Sequence, residues 1–339
     1  MMGDMRVLVA PDKFKGTATA REMADAIVAA LVADGHQAEA SPMADGGEGF
    51  LDALGGPNRT STVRGPLGQP VDAGWRLHRR TAVIEMARAS GLALAGGADG
   101  NDPVDATTFG TGELIGVAVE SGANRVLVGV GGSATTDGGL GALKALHPSH
   151  RLKGIELVVA CDVTTGFAAA ARVFGPQKGA SPAQVKLLTR RLERLTDVFR
   201  QETGVDVRSM LRAGAAGGLA GGLATVGAEL VSGFEVVAEE LDFDAQLEGV
   251  DLVITGEGFL DDESFTGKVV GGVTEAARER GVAVLAVVGE IVDPIPALPA
   301  HLTVVSLTER FGSARSHDDP CGAAAEAAVA HCRRRRAPG

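Results

Sequence analysis

Five short segments of this sequence combine glycine with acidic, basic or hydroxyl side chains, each near the end of an apolar β-branched run. Pro11–Gly16 carries Asp12, Lys13 and Lys15. Asp45–Gly49 sets Asp45 and Glu48 three residues apart around a turn of glycines. In Gly129–Gly139 (GVGGSATTDGG), Gly131, Gly132, Ser133 and Thr135 lead to Asp137. Asp162 closes a further run, with Lys178 downstream, and Thr255–Lys268 holds Glu257 and Lys268. Successive amides in glycine-rich turns can cradle phosphate oxygens, and Ser or Thr hydroxyls add donors. Carboxylates at neighbouring strand ends can hold Mg²⁺, which keeps several waters and takes one or two protein oxygens. Any one Gly-Gly pair can also mark only a tight turn or close packing, and Gly214–Gly222, with no ionisable group, reads that way. Several strand ends with the same chemistry argue for a ligand site, because open α/β sheets bind ligands at that edge.

Other chemistries fit less well. All seven histidines lie outside these clusters, and Cys161, Cys321 and Cys332 form no CxxC pair. A histidine-based triad, a zinc ribbon and a disulfide framework are therefore not expected. Gly129-x-Gly131-x-x-Ala134 matches the dinucleotide fingerprint, but that pattern wants an acid about 20 residues on, and Asp162 comes about 30 on. Gly267-Lys268 is followed by Val269, and Asp262 stands where the leading glycine of a Walker A loop belongs. What remains is carboxylates, lysines and backbone amides. Phosphoryl transfer suits that set, since it asks for positioning, Mg²⁺, charge neutralisation and a base for the acceptor hydroxyl.

The elements that must hold these groups alternate, which points to α/β layering. Strands are expected at Arg6–Ala10, Ala82–Glu85, Arg125–Val130, Glu156–Ala160, Leu252–Thr255, Val282–Val288 and Thr303–Ser306. Helices are expected over Arg21–Asp34, Gly112–Glu120, Gly138–Ala145, Pro182–Gln201, Leu219–Leu230, Val270–Arg280 and Pro320–Arg333. Thr19 with Glu22 forms a capping-box signature, and Ser181-Pro182 and Asp319-Pro320 read as helix starts. Ser61–Arg64 and Val71–Leu77 look like a hairpin, so a domain boundary is expected near Gly56.

With 339 residues, 45% of them hydrophobic, the chain can bury one large or two modest cores. Its net charge of −11 argues against nucleic acid or an anionic membrane as partner. No apolar run approaches about 18 residues, and MMGDMRVLVAP passes directly into a strand-like segment, so neither a membrane span nor a secretory signal is expected. A cytoplasmic location fits. The Arg333–Arg336 run reads as a solvated helix end near the negative pole of the helix dipole.

Several segments together resemble the bacterial type-1 glycerate kinases across nearly the whole chain. They are Ala10-Pro-Asp-Lys-Phe-Lys-Gly16, Pro42-Met-Ala-Asp-Gly-Gly-Glu-Gly49, Ile84-Glu-Met-Ala87 with Ala89-Ser-Gly-Leu92, and Ala106-Thr-Thr-Phe-Gly-Thr-Gly-Glu-Leu-Ile115. Gly131-Gly-Ser-Ala-Thr-Thr-Asp-Gly-Gly139, Val173-Phe-Gly-Pro-Gln-Lys-Gly-Ala180, Gly214-Ala-Ala-Gly-Gly-Leu219 and Asp251-Leu-Val-Ile-Thr-Gly-Glu-Gly258 follow in the same order. The resemblance implies ATP- and Mg²⁺-dependent phosphorylation of D-glycerate, commonly to 2-phosphoglycerate. It also implies two α/β domains around a cleft. One, flavodoxin-like with a doubly wound parallel sheet, is formed by both chain ends (1–56 plus 250–339), and the other is inserted between them (57–249). A homodimer is left open. Three places depart from the family pattern: Thr164-Thr165-Gly166 after Cys161-Asp-Val, Phe259 where an arginine is usual, and Thr136 in place of an asparagine. An apolar ring does not substitute for a bidentate donor. The alternative reading is therefore a kinase for another hydroxy or sugar acid, or a catalytically weakened ligand-binding relative.

Residue chemistry then distributes the roles. Asp137 is expected to orient or deprotonate the acceptor hydroxyl, with Lys13 and Asp45 beside the chemistry. Gly131, Gly132, Ser133 and Thr135 would cradle phosphate or the substrate carboxylate. Lys15, Lys178 and Lys268 would meet phosphate charge, Glu48 and Glu257 would bind substrate, and Asp45 with Asp162 would hold Mg²⁺.

Overall fold

The computed structural model of the protein describes residues 4–292, 295 and 297–336; Met1–Gly3, ahead of the first strand, lie outside them. The chain divides into two units, Met1–Asp45 with Phe234–Gly339, and Gly46–Gly233. Both are α/β.

The first unit holds strands β1 (Arg6–Val9) and β2 (Gln37–Ala40) from the start of the chain. The second holds β3 (Arg59–Arg64), β4 (Pro70–His78), β5 (Thr81–Glu85), β6 (Arg125–Gly129), β7 (Glu156–Cys161) and β8 (Glu229–Ser232). The chain then returns to the first unit for β9 (Leu252–Leu260), β10 (Ala283–Ile291) and β11 (Leu302–Ser306).

In the first unit every strand pair is parallel and the order is β11-β10-β9-β1-β2. Counted as the chain visits them, the strands run 2-1-3-4-5, the flavodoxin-like doubly wound order. Parallel strands covered on both faces need near-continuous apolar runs. RVLV and LVIT supply them, and Val7, Val9, Leu252, Ile254, Leu285 and Val287 are buried together with Met23, Ile27 and Leu31 of the Ala20–Ala33 helix. That helix starts as the sequence predicts: the Glu22 amide donates to Thr19 Oγ1 at 3.1 Å, and the Thr19 amide donates to Glu22 Oε2 at 2.9 Å. Burying each Ile or Leu stabilises the layer by about 1.5–3 kcal/mol.

The second sheet runs β3-β4-β5-β6-β7-β8. The β3–β4 and β4–β5 pairs are antiparallel, which matches the expected hairpin, and β5 to β8 are parallel. Trp75 is buried in this core, its indole N–H donating to Ser61 Oγ at 3.0 Å.

Three differences from the sequence reading have physical causes. The expected helix Leu219–Leu230 stops at Ala224, because Gly227 turns at φ +97° and the chain enters β8. β2 and β8, at the sheet edges, are short and only partly buried, so their apolar periodicity is weak. The units divide at Asp45/Gly46 and Gly233/Phe234, earlier than Gly56 and residue 249. The Phe50–Ala53 helix belongs with the second unit, since Leu51 N–H donates to Glu85 and the Phe50 ring packs on Gly129. Phe234 belongs with the first, stacked edge-on to Phe243 and pressed against Gly272.

Candidate functional site

In a 2-1-3-4-5 sheet the chain leaves the first and third strands toward opposite sides, and the crevice at their carboxyl ends is where ligands bind. Here those strands are β1 and β9. Main-chain bonds carry the loop beyond β1 along β9: Ala10 N–H donates to the Ile254 carbonyl at 2.7 Å and Asp12 N–H to the Gly256 carbonyl at 2.8 Å. Ser41 N–H to Val9 and Met43 N–H to Pro11 bring the segment after β2 to the same edge, delivering Asp45. The glycines flanking Glu257 serve close packing, because a Cβ at Gly256 would overlap the Val287 carbonyl and one at Gly258 would lie 3.3 Å from the Lys15 nitrogen.

Four ionisable groups meet there. Lys13 Nζ lies 3.7 Å from Asp12 Oδ1 and 3.6 Å from Asp45 Oδ1. Asp12 and Asp45 are both buried, and Asp12 Oδ1 also accepts from the Lys13 amide at 2.7 Å. Burial, then the Asp45 carboxylate, pushes Asp12 up to about 7 against the pull of Lys13, with Glu257 adding to the rise. Burial likewise pushes Glu257 up to about 7, against Ser264 and Lys268 and with Asp261 and Asp45. Glu257 Oε1 is buried without a hydrogen-bond partner. Lys268 is tied to Glu263 at 3.2 Å. Burial would lower its ammonium, but that bond and the Asp261, Glu263 and Glu257 carboxylates hold it above its ordinary value. Lys15 is exposed. Phe259, 54% exposed, lies on β9 opposite Glu290.

The raised carboxyls have a consequence for stability. Between the ordinary carboxylate range and about 7, the folded chain keeps protons on Asp12 and Glu257 that the unfolded chain has lost. Their contribution is therefore complete at low pH and is lost as pH rises to about 7, at no more than about 1.4 kcal/mol per unit per group. Relative to wild type, Asp12→Asn/Glu257→Gln is expected to gain stability from pH 5 to 8 in chelator. Urea unfolding across that range checks it, and a constant difference would contradict it.

The second unit presents a different arrangement. The glycines after Asp45 let two loops touch backbone to backbone: Gly131 N–H donates to the Gly46 carbonyl at 3.1 Å, and a Cβ on Gly131 would overlap Gly47 Cα. Gly46, at φ +89°, has the Ala160 carbonyl where its Cβ would point, 2.6 Å away. Glu48 is exposed. The buried acid of this corner is Glu85, whose Oε1 accepts from the Gly49 and Leu51 amides at 3.0 and 2.9 Å and whose Oε2 accepts from Arg88 at 2.9 Å.

Lys178 is expected to face phosphate, and in the structure it is bonded within the protein. Its side chain is buried, with Nζ donating to Ser133 Oγ at 2.8 Å and to the Thr135 carbonyl at 2.7 Å. Burial pushes it down to about 7, opposed by Asp137. Asn101 Nδ2 ties the same loop to the same turn, donating to the Ala134 and Lys178 carbonyls at 3.0 and 2.9 Å. Lys178 is thus a clamp on the Gly131–Asp137 loop, and Ser133 and Thr135 are its buried anchor points, while Gly132 remains exposed.

Asp137 is also occupied. Oδ2 accepts from the Thr108 amide and hydroxyl, both at 2.9 Å, from Gly141 N–H at 3.1 Å and from Thr107 Oγ1 at 3.4 Å, while Oδ1 accepts from Gly139 N–H at 3.0 Å. Five donors take up the lone pairs that a base would need. The carboxylate anchors the start of the Leu140–Ala145 helix to the Thr107–Thr108 turn. Asp162, half-buried after β7, belongs to the second unit, whereas Asp45 ends the first. Burial pushes the neighbouring Cys161 thiol up, which leaves no thiolate there.

The sequence reading placed Lys13, Asp45 and Glu257, which the structure groups. It left Asp12 unassigned and missed Glu85 and Asn101. The signal for Glu85 was present: an acid closing the apolar strand TAVIE.

Comparison with known proteins agrees with this fold and these motifs. The family model described as "Glycerate kinase family" matches residues 7–149 and 147–330. The chain is 39% identical over 337 residues to the glycerate 2-kinase of Escherichia coli K12, covering 88% of each chain. It is 40% identical over 327 residues to the glycerate kinase of Bacillus subtilis 168, covering 85% of each. A crystal structure from Salmonella typhimurium LT2, named provisionally as a glycerate kinase 2, superposes with a TM-score of 0.80 at 32% identity, over 99% of this chain and 100% of that one. With matching motifs, fold and length, the chain belongs to the glycerate kinase family, whose members are phosphotransferases acting on an alcohol.

Proposed function

We propose that the protein phosphorylates D-glycerate from ATP in the presence of Mg²⁺, giving 2-phosphoglycerate. The observation that carries this reading is the grouping of Asp12, Lys13, Asp45 and Glu257 at the β1–β9 switch point. The name glycerate 2-kinase borne by the E. coli relative supports the product.

The donor set at that edge suits Mg²⁺. It is all oxygen, it pairs two buried carboxylates on one ammonium, and it leaves Glu257 Oε1 unpartnered. Among the described residues no three His, Cys, Asp or Glu side chains close around a metal, which is compatible with an ion that keeps several waters. Asp45 and Asp12 would hold it, and when bound it neutralises charge on the phosphates. Lys13 offsets the carboxylates and offers an ammonium to an anionic substrate. Glu257 Oε1, buried with no partner of its own, is the atom proposed to take the acceptor's hydroxyl proton. Asp137 and Lys178 hold the Gly131–Asp137 loop in shape.

The decisive assay is ADP release from ATP-Mg²⁺ with D-glycerate, L-glycerate or no acceptor, with the phosphate position read by ³¹P NMR. D-glycerate-dependent release of ADP and 2-phosphoglycerate is expected, and its absence would overturn the reading. Exposed Phe259 on the same strand as Glu257 favours testing larger hydroxy acids beside it.

A further inference from the structure

A cavity of about 650 Å³ opens in the second unit beside the Gly131–Asp137 loop. One part of its lining is apolar: Phe109, Leu140, Leu195 and Val198. Leu140 and Val198 are 37% and 39% exposed, large apolar side chains left open to the hollow. Another part is cationic, contributed by Arg64, Lys144, Arg191 and Arg194. Arg64 stacks over the Phe109 ring at 4.2 Å, and Arg191 donates to the Val104 carbonyl at 3.1 Å. None of the four side chains forms an ion pair with a carboxylate among the described residues. The lining holds two acids, Asp105, which is exposed, and Asp137, whose oxygens already accept five bonds. In a chain of net charge −11, four cations against two carboxylates leave this hollow with a local excess of positive charge, which favours an anion among them.

Thr136 supplies an independent sign. It lines the cavity, is 2% exposed, and its hydroxyl is buried without a hydrogen-bond partner. A buried polar group left unpaired calls for an explanation, and a bound ligand is one.

Resting on the kinase reading above, we infer that this cavity binds the phosphate donor, a nucleoside triphosphate. The base and sugar lie along Phe109, Leu140, Leu195 and Val198, the phosphates meet the arginines and Lys144, and the Thr136 hydroxyl donates to the ligand. The acceptor does not fit this description. The volume is that of a drug-sized ligand site, and a three-carbon acid has no apolar face for the lining and too few anionic oxygens to reach the cations spread around it. Arginine's planar fork suits phosphate oxygens, and its stacking on Phe109 fixes its plane.

The test is calorimetric titration of ADP into the full chain, which needs no turnover. Lys144→Ala/Arg194→Ala is expected to raise the ADP Kd about a hundredfold, roughly tenfold for each charge-assisted hydrogen bond removed. Leu140→Trp, which fills the apolar side and leaves every cation in place, is expected to weaken ADP at least tenfold. Each variant is first checked for wild-type thermal unfolding. If both variants fold and bind ADP with the wild-type Kd, or if wild type binds no ADP, the inference fails. Neither result touches the kinase reading, which fails only if wild type shows no D-glycerate-dependent phosphoryl transfer.

Discussion

Asp45→Asn is expected to lower kcat by about 10²–10³ with both substrates saturating, the effect of removing one charged group that stabilises a transition state. Asp45 is buried, shares the Lys13 ammonium with Asp12, and ends the segment that β2 carries to the switch point. The amide keeps the shape and removes the charge, so the fold is expected to survive. A second signature separates this from general damage. The Asp45 carboxylate is part of what holds Asp12 up at about 7, so its removal should let Asp12 fall toward the ordinary range. Read by urea unfolding in chelator, the pH range over which Asp12 costs stability then moves lower. A variant with kcat within about threefold of wild type would remove Asp45 from the chemistry.

For Asp137, stability is expected to change along with turnover. Asp137→Ala leaves the Thr108, Gly139 and Gly141 amides without their acceptor, and unmade buried bonds cost about 1–3 kcal/mol each before relaxation and water. A drop in stability of about 2–4 kcal/mol follows. Asp137→Asn keeps one oxygen for the Thr108 side but turns an NH₂ toward the Gly139 amide, a donor facing a donor. It is expected to be milder in stability and still strongly impaired in kcat, because the Gly131–Asp137 loop loses its anchor. Trp75, the chain's single tryptophan, is buried in the same unit, so its fluorescence in urea follows that unit's unfolding. An Asn variant with an unchanged urea midpoint and a collapsed kcat would restore Asp137 as the proton acceptor.

The Asp137 case shows where sequence and structure part. An aspartate after GGSATT has a base's chemistry, and nothing local tells a free carboxylate from one taken up by Thr107 and Thr108, some thirty positions earlier. The same holds for Lys178, whose burial depends on the Asn101 and Ser133 segments closing over it. Lys13 with Asp45 was legible because loops after neighbouring parallel strands meet at one edge of a sheet.

By itself the sequence determined the elements with strong periodicity and local caps: the buried parallel strands, the Thr19 and Ser181 helix starts and the β3–β4 hairpin. It also determined the glycine-rich corners and the family they spell. These are set by interactions between residues close along the chain. The edge strands β2 and β8, the early division at Asp45/Gly46, and which charges are buried and bonded to loop backbone were decided only by tertiary structure. Burial and hydrogen-bond partners are supplied by distant segments, and a side chain's charge acquires its role from them.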